Sequence, residues 1–128
     1  MAFEAAQIKV GNFTASADLS AKQYHFVKMS GNNTVTVCAA ITDVPIGVLQ
    51  NSPASGSAAE VCLFGVTKVV ADGTLAAGNL IGTSADGQAD AIAAGTDTTV
   101  TTVGQALNAA SAGETVEMFF NPSGARAA

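Results

Sequence analysis

The feature that most constrains the fold is the alternation of apolar and polar residues in short segments. QIKVGNF places Ile8 and Val10 on one side of an extended chain and Lys9 on the other, and residues 34–38 alternate valine with threonine or cysteine. A period of two is the period of a β-strand. Glycine-rich turns such as SGNN, SADGQ and SAGE separate the segments at roughly eight to twelve residues, which is typical of a barrel or sandwich. The sequence therefore predicts an all-β protein.

Two segments carry most of this prediction. AEVCLFGVTKVV, residues 59–70, is the longest strand candidate and is apolar on both faces. Such a strand has to be covered on both sides, by a barrel interior and by a neighbour. GNLIGTSADGQADAI, residues 78–92, predicts a hairpin, because Asp86-Gly87 supplies the positive φ angles that a tight hairpin turn needs.

At 128 residues the chain has the length of one domain. We divide it into an N-terminal arm or first strand (1–16), a β domain (17–121) and a flexible C-terminal tail (122–128). The first segment carries Phe3, Ile8, Val10 and Phe13, so it is either an arm that orders on binding or the first strand of the barrel. We favour the arm. Deleting residues 2–13 is then expected to leave a folded protein.

The charge content excludes several classes of partner. Only 12% of the residues are charged, against about 25% in an average soluble domain. The net charge is −5 and no run of Lys or Arg occurs, so the sequence predicts no nucleic-acid binding and no basic membrane-surface helix. So few charges leave apolar surface that a partner would cover.

The residues that usually carry catalysis occur without their partners. His25 is the single histidine, and no segment supplies a group to orient it as a general base. No nucleophile elbow and no phosphate-binding glycine loop is present. A hydrolase with a spatially assembled site is the remaining enzyme alternative, and we predict no enzyme, no catalytic residues and no cofactor.

Metal binding is not indicated either. The spacing of Cys38 and Cys62 matches no zinc pattern, and we interpret both as buried thiols, with a disulfide between them as the alternative. The aspartates of the glycine-rich stretch lack calcium-loop spacing and are interpreted as turn residues. These are Asp86, Asp90 and Asp97.

Several marks occur in an order that resembles a known family. An Asp-Leu-Ser start is followed by a Gly-Val-Leu strand, a loop of Pro, Ala and Gly before a Gly-Val pair, an Ala-Gly pair before the hairpin, and Gly-Glu before the last strand. They are Asp18-Leu19-Ser20, Gly47-Val48-Leu49, Gly65-Val66, Ala77-Gly78 and Gly113-Glu114. Over residues 17–126 the chain resembles the capsid cement, or head-decoration, proteins of tailed bacteriophages and prophages.

This resemblance implies a small compact β fold similar to the β-tulip barrel of lambda-type decoration proteins. It also implies a protein that is made in the cytoplasm of a host bacterium and then binds the outside of an expanded capsid. There it would stabilise the shell by bridging major capsid subunits, as homotrimers. The alternative is a β-rich phage tail, fibre or surface-adhesion module, although one Tyr and no Trp provide few aromatic platforms for sugars.

Two segments are candidates for contact with the capsid or with other subunits. The first is the N-terminal segment with Phe3, Ile8, Val10 and Phe13, which would add a strand to the sheet edge of a capsid subunit. The second is the loop QNSPASGSAAE, residues 50–60, which is fixed at Pro53 and otherwise small and nearly uncharged. An ordinary solvent-exposed loop is the alternative for the second segment.

Overall fold

The computed structural model describes residue 2 and residues 5–93, 95–97 and 99–122. Within these residues the chain forms nine strands and no helix. The strands are β1 (Ala5–Ala15), β2 (Phe26–Gly31), β3 (Thr34–Val37), β4 (Gly47–Leu49), β5 (Ala58–Val70), β6 (Leu80–Thr83), β7 (Ala89–Ala91), β8 (Gly104–Ala106) and β9 (Thr115–Phe120). The all-β prediction is confirmed.

All nine strands belong to one mixed sheet that closes only in part. Its order is β1-β3-β2-β4-β5-β9-β8-β6-β7, and β1 also pairs with β5. That pairing closes β1, β3, β2, β4 and the first part of β5 into a five-stranded ring. The remaining strands, with the second part of β5, form a sheet that does not close, which we call the open half.

The long strand β5 joins the ring to the open half. Its first part pairs with β4 and β1, and from Gly65 onward it pairs with β9. The predicted hairpin is confirmed, because β6 and β7 pair from Ile81↔Ala91 to Thr83↔Ala89. The predicted tight turn at Asp86-Gly87 is wrong, because the loop spans residues 84–88 and of these two residues only Gly87 has a positive φ, +73°, a conformation that favours glycine.

Two apolar cores lie on either side of β2 and β4. Val27 and Leu49 point into the ring, whereas the residues before them, Phe26 and Val48, point into the core of the open half. Successive residues of a strand face opposite sides, so these strands form a wall between the cores. The ring core comprises Ala15, Leu19, Val27, Val35, Leu49, Ala59 and Val61.

The core of the open half is larger and contains the bigger side chains. Phe120 and Phe26 lie in it with ring centroids 6.2 Å apart. Strands of the ring and of the open half both contribute. Its members are Phe26, Cys38, Val48, Val69, Ala71, Leu75, Ile81, Ala89, Val103, Ala106, Ala110, Val116, Met118 and Phe120. Because both halves bury residues in this core, we expect them to unfold together.

Candidate contact surfaces

The alternation of β9 separates a buried side of the open half from a solvent-facing side. Met118 and Phe120 are fully buried in the core, whereas Glu117 and Phe119 lie on the opposite side and are partly exposed. In an antiparallel sheet, directly paired residues share a side. The pairing register of β9 therefore identifies the neighbours of Phe119 on the solvent-facing side.

Four neighbouring strands contribute one row of side chains to this side. Phe119 pairs with Val66 of β5 and with Gln105 of β8, and Gln105 pairs in turn with Leu80 of β6. Phe64 extends the row at one end, where its ring meets that of Phe119 edge to face at a centroid distance of 5.3 Å. We call the surface formed by Phe64, Val66, Phe119, Gln105 and Leu80 the outer face.

The outer face is mainly apolar, whereas the solvent-facing sides of antiparallel sheets are usually polar. Phe64 is 40% exposed and Leu80 is 44% exposed. Ile8 of β1 pairs directly with Phe64 and is 59% exposed, so it continues the apolar surface onto the ring. Clusters of exposed apolar side chains of this kind mark contact sites.

The charges beside the outer face are balanced. Lys68 of β5 pairs directly with Glu117 of β9, two residues along each strand from the Val66–Phe119 pair. The Lys68 ammonium lies 5.5 Å from the centroid of the Tyr24 ring, within the range of a cation–π contact. This border of the outer face thus holds one cation and one anion.

Four contact residues were predicted in the N-terminal segment, and three of them lie in β1. Ile8 is exposed and Val10 half-buried, whereas Phe13 packs on the ring core. Phe3 lies outside the described residues. Between residues 5 and 13, β1 pairs with β5 on one side only, and its register shifts three times. Such irregularities and charged side chains, here Lys9 paired with Glu60 at 3.3 Å, discourage an edge from pairing with further strands.

Pro53 is not at the surface of its loop. The residue is buried, and its carbonyl accepts a 2.9 Å hydrogen bond from the backbone N–H of Leu19. The exposed part of the loop is residues 54–58. The contact prediction for this loop therefore applies to residues 54–58. Pro53 anchors the loop through its hydrogen bond with Leu19.

A second apolar site is presented by the loop between β3 and β4. One carboxylate oxygen of Asp43 accepts hydrogen bonds from the backbone N–H groups of Ala39 and Ala40 and from the Lys28 ammonium, at 2.8, 3.0 and 2.9 Å. Burial opposes ionisation of Asp43, but these bonds outweigh it and lower its pKa. The loop so held exposes Ile41 and Val44, which is 56% exposed.

His25 is held by structural hydrogen bonds. Its Nδ1 lies 3.1 Å from the carbonyl oxygen of Gln23, and its Nε2 lies 3.4 Å from the amide nitrogen of Gln88. The ring is buried, and burial lowers its pKa. A neutral imidazole that donates from Nδ1 and accepts at Nε2 satisfies both contacts and links the ring to the β6–β7 loop.

The cysteines are buried free thiols, as predicted. Cys38 lies in the core of the open half, and burial raises its pKa to about 12. Cys62 is buried within β5, where its thiol contacts the carbonyl oxygen of Phe64 at 3.4 Å. With its pKa raised in this way, the Cys38 thiol lacks the thiolate character that nucleophilic or metal chemistry requires.

Of the three aspartates of the glycine-rich stretch, Asp86 and Asp97 lie at turns, whereas Asp90 pairs with Gly82 within β7, so its interpretation as a turn residue is wrong. Asp97 accepts a 2.8 Å hydrogen bond from the backbone N–H of Ala93. Asp90 and Asp97 border a cavity of about 90 Å³ whose other walls include Ile41 and Val100. Burial, aided by the charges of Asp72 and Asp97, raises the pKa of Asp90. Among the described residues, no group of three His, Cys, Asp or Glu side chains is placed to hold a metal ion.

No helix in the described part of the chain is long and apolar enough to cross a membrane.

Comparison with known proteins gives a structural match over most of the chain. No protein-family model matches the sequence, and no curated protein matches it. Among solved structures, the fold is similar to the head fiber gp8.5 N base of bacteriophage phi29, with a TM-score of 0.68. The match covers 91% of this chain and 95% of that one at 19% sequence identity. At this identity the likeness establishes a shared fold.

The contact residues chosen from the sequence missed most of the outer face. The two-sided apolar character of residues 59–70 was the signal, since it predicted that a neighbour covers one side of the strand, and Phe64 and Val66 lie there. Phe119 gave no comparable signal, because Phe119 and Phe120 are adjacent and chemically identical. Leu80 was placed in a hairpin, but the hairpin alone does not determine which of its sides faces solvent.

Proposed function

We propose that this chain is a structural protein on the outside of a phage head and serves as the base that attaches a fibre to the shell. The observation that carries the proposal is the fold match to a head fiber base, because it extends over nearly the whole of both chains. The role needs no chemistry from the protein. It agrees with His25 and both cysteines being engaged inside the structure.

In this proposal the partners are the major capsid protein and further copies of the chain, associated as homotrimers. Attachment would use exposed residues of β1, such as Ile8, and the exposed loop residues 54–58. Several equivalent contacts in one oligomer raise its avidity for a symmetric shell without a large area in any of them. The proposed location is therefore the surface of the virion, after synthesis in the host bacterium.

A capsid cement is the second candidate. It is favoured by the presence of two separate exposed apolar sites, the outer face in the open half and the Ile41–Val44 loop at the end of β3. A clamp that bridges neighbouring subunits needs such separate contact sites. Binding that occurs only in the assembled shell stabilises the shell by mass action.

Co-sedimentation with expanded, undecorated shells of its own major capsid protein tests the proposal. We expect saturable binding of the purified protein to these shells. A rise in the temperature at which the shells disrupt identifies the cement role, and binding without such a rise identifies the fibre base. Binding only to unexpanded shells, or to neither form, would contradict both roles.

Deleting residues 2–13 tests the contact assigned to the N-terminal segment. Residues 5–12 contain no buried side chain, and Phe13 is the one deleted residue among those described that packs on the ring core, so we expect the shortened protein to fold. We expect its shell binding to be much weaker. The paired substitutions Ile8→Ser and Met29→Ser provide a matched comparison, since both replace an exposed apolar residue and only Ile8 lies in β1. Loss of the cooperative unfolding transition after deletion would show that the segment belongs to the folded core.

A further inference from the structure

We infer that copies of this chain contact one another through the outer face, and that its occupant is a second copy rather than the shell. This rests on the proposed function only in that a head-surface protein of this kind acts as an oligomer. The contact joins copies in pairs and forms in solution, whereas the homotrimers of the proposed function form on the shell, so the contact is tested without shells. Phe64, Phe119 and Leu80 of each copy would be covered by the other.

The apolar row supplies the area for such a contact. Three strands present large side chains there, with the Phe64 and Phe119 rings already fixed against each other edge to face. Preorganised aromatic side chains lose little conformational freedom on association and are enriched at the centres of interfaces. Gln105 is the one polar residue in the row, and its amide nitrogen already donates a 3.0 Å hydrogen bond to the carbonyl oxygen of Gly78.

Charge is the reason for choosing a second copy as the occupant. The chain carries a net charge of −5, and the open half has aspartates on its loops and on β7 that would repel another copy. These include Asp72, Asp90 and Asp97, whose mutual repulsion contributes to the raised pKa of Asp90. Beside the outer face, by contrast, Lys68 and Glu117 contribute one positive and one negative charge.

The arrangement of Lys68 and Glu117 is complementary to itself. When two identical faces meet about a two-fold axis, residue i of one copy contacts residue j of the other, and residue j contacts residue i. Lys68 of one copy then approaches Glu117 of the next, and Glu117 approaches Lys68. A strongly basic or strongly acidic partner would instead oppose one of these two charges. The pair thus favours a like partner over a highly charged surface.

Light scattering coupled to size-exclusion chromatography tests the contact with the full chain. We expect the unmodified protein to elute with a mass that is a multiple of 12.6 kDa. Phe119→Glu and Leu80→Glu are each expected to reduce the mass to that of one chain. Val44→Glu is the matched control, because it places the same charge on an equally exposed apolar residue outside the face, and we expect it to elute like the unmodified protein.

Two charge-reversal variants test the same contact if Phe119→Glu and Leu80→Glu do not fold. Lys68→Glu gives a face with two acidic residues, and Glu117→Lys gives a face with two basic ones. Each variant alone is expected to shift toward single chains. Mixed in equal amounts, the two variants are expected to co-elute as a joint species, and that species is expected to dissociate at high salt.

The outcomes separate this inference from the proposed function. A single-chain mass for the unmodified protein at its highest soluble concentration would overturn the inference. So would an unchanged mass in the outer-face and charge variants. If the unmodified protein is a single chain and Phe119→Glu abolishes shell binding, the shell is the occupant and the proposed function stands. If the outer-face variants dissociate but no form binds shells, the contact stands and the proposed function fails.

Discussion

The ring and the open half are both built from short β-strands, but they differ in which sides of those strands are buried. In the ring, β1 pairs with β5 and with β3, so the sheet returns to its starting strand around an apolar interior. In the open half, the sheet ends at β7 and buries one of its sides in the larger core. Its other side, the outer face, carries aromatic and aliphatic side chains into solvent.

The difference follows from how each half buries its apolar residues. Closure lets every strand of the ring point apolar residues into one shared interior. A sheet that does not close has two sides, and the strands β2 and β4 cover only one side of the open half. Apolar residues on the uncovered side need a partner from outside the chain. The half that does not close is therefore the half we expect to associate.

Truncating the core of the open half should have the largest effect on stability. Phe120→Ala removes a fully buried ring that packs near Phe26, and such truncations cost about 3–5 kcal/mol of the free energy of unfolding. Because Phe26 and Val48 of the ring share this core, we expect the ring to unfold in the same transition. Denaturant unfolding followed by circular dichroism and by hydrogen exchange would check this. Separate transitions for ring and open-half amides would show that the halves are independent.

Disturbing ring closure should cost less. Gly65 has a φ of +123°, and a Cβ there would meet the carbonyl oxygen of Ala6 in β1. We expect Gly65→Ala to cost about 1–3 kcal/mol from backbone strain, as for other residues held outside favoured regions. It should also lower hydrogen-exchange protection in β1 while the open half stays protected.

Gly56→Ala is the control for this substitution. Gly56 also has a positive φ, +83°, but a Cβ there would meet no atom within 4 Å. Its cost therefore reports backbone strain without the clash. Unchanged protection of β1 in Gly65→Ala would mean that the close approach of the two strands does not maintain closure.

The neighbour of Phe120 provides the sharpest contrast between the two sides of one strand. Phe119→Ala removes a partly exposed ring whose edge-to-face contact with Phe64 is worth about 0.5–1.5 kcal/mol. We expect the free energy of unfolding to fall by that amount plus the burial lost with the ring, which is less than for Phe120→Ala, at concentrations where the chain is dissociated. We expect the mass in solution to fall markedly. A loss as large as that of Phe120→Ala would place Phe119 in the core instead.

The smallest expected effect is a dependence of stability on pH through His25. Burial lowers the pKa of the folded histidine below its ordinary value of about 6.5, so the unfolded chain binds a proton more readily than the folded one. The contribution is complete above that pH and is lost as the pH falls toward the folded pKa. We expect the free energy of unfolding to decrease between pH 7 and pH 5, and less steeply in His25→Gln. Equal slopes in both proteins would remove His25 as the cause.

Local pattern explains which parts of the fold were predictable from the sequence. The prediction of β5 rests on a continuous apolar run and that of the β6–β7 hairpin on the glycine turn at Gly87, which are properties of neighbouring residues. Ring closure depends on pairing residues 5–14 with residues 58–66, and no local signal identifies that partner. The burial of Pro53 depends likewise on its bond to the distant Leu19. Apolar character in residues 59–70 predicted a covering neighbour, but not the strands that share the surface.

A cryo-electron microscopy map of expanded shells incubated with the protein tests the central claim most directly. We predict regular additional density on the outside of the shell, into which the ring and the open half fit, with the outer faces of neighbouring copies in contact. Shells that carry no additional density after incubation with saturating protein, or density confined to their inner surface, would contradict a role on the outside of a phage head.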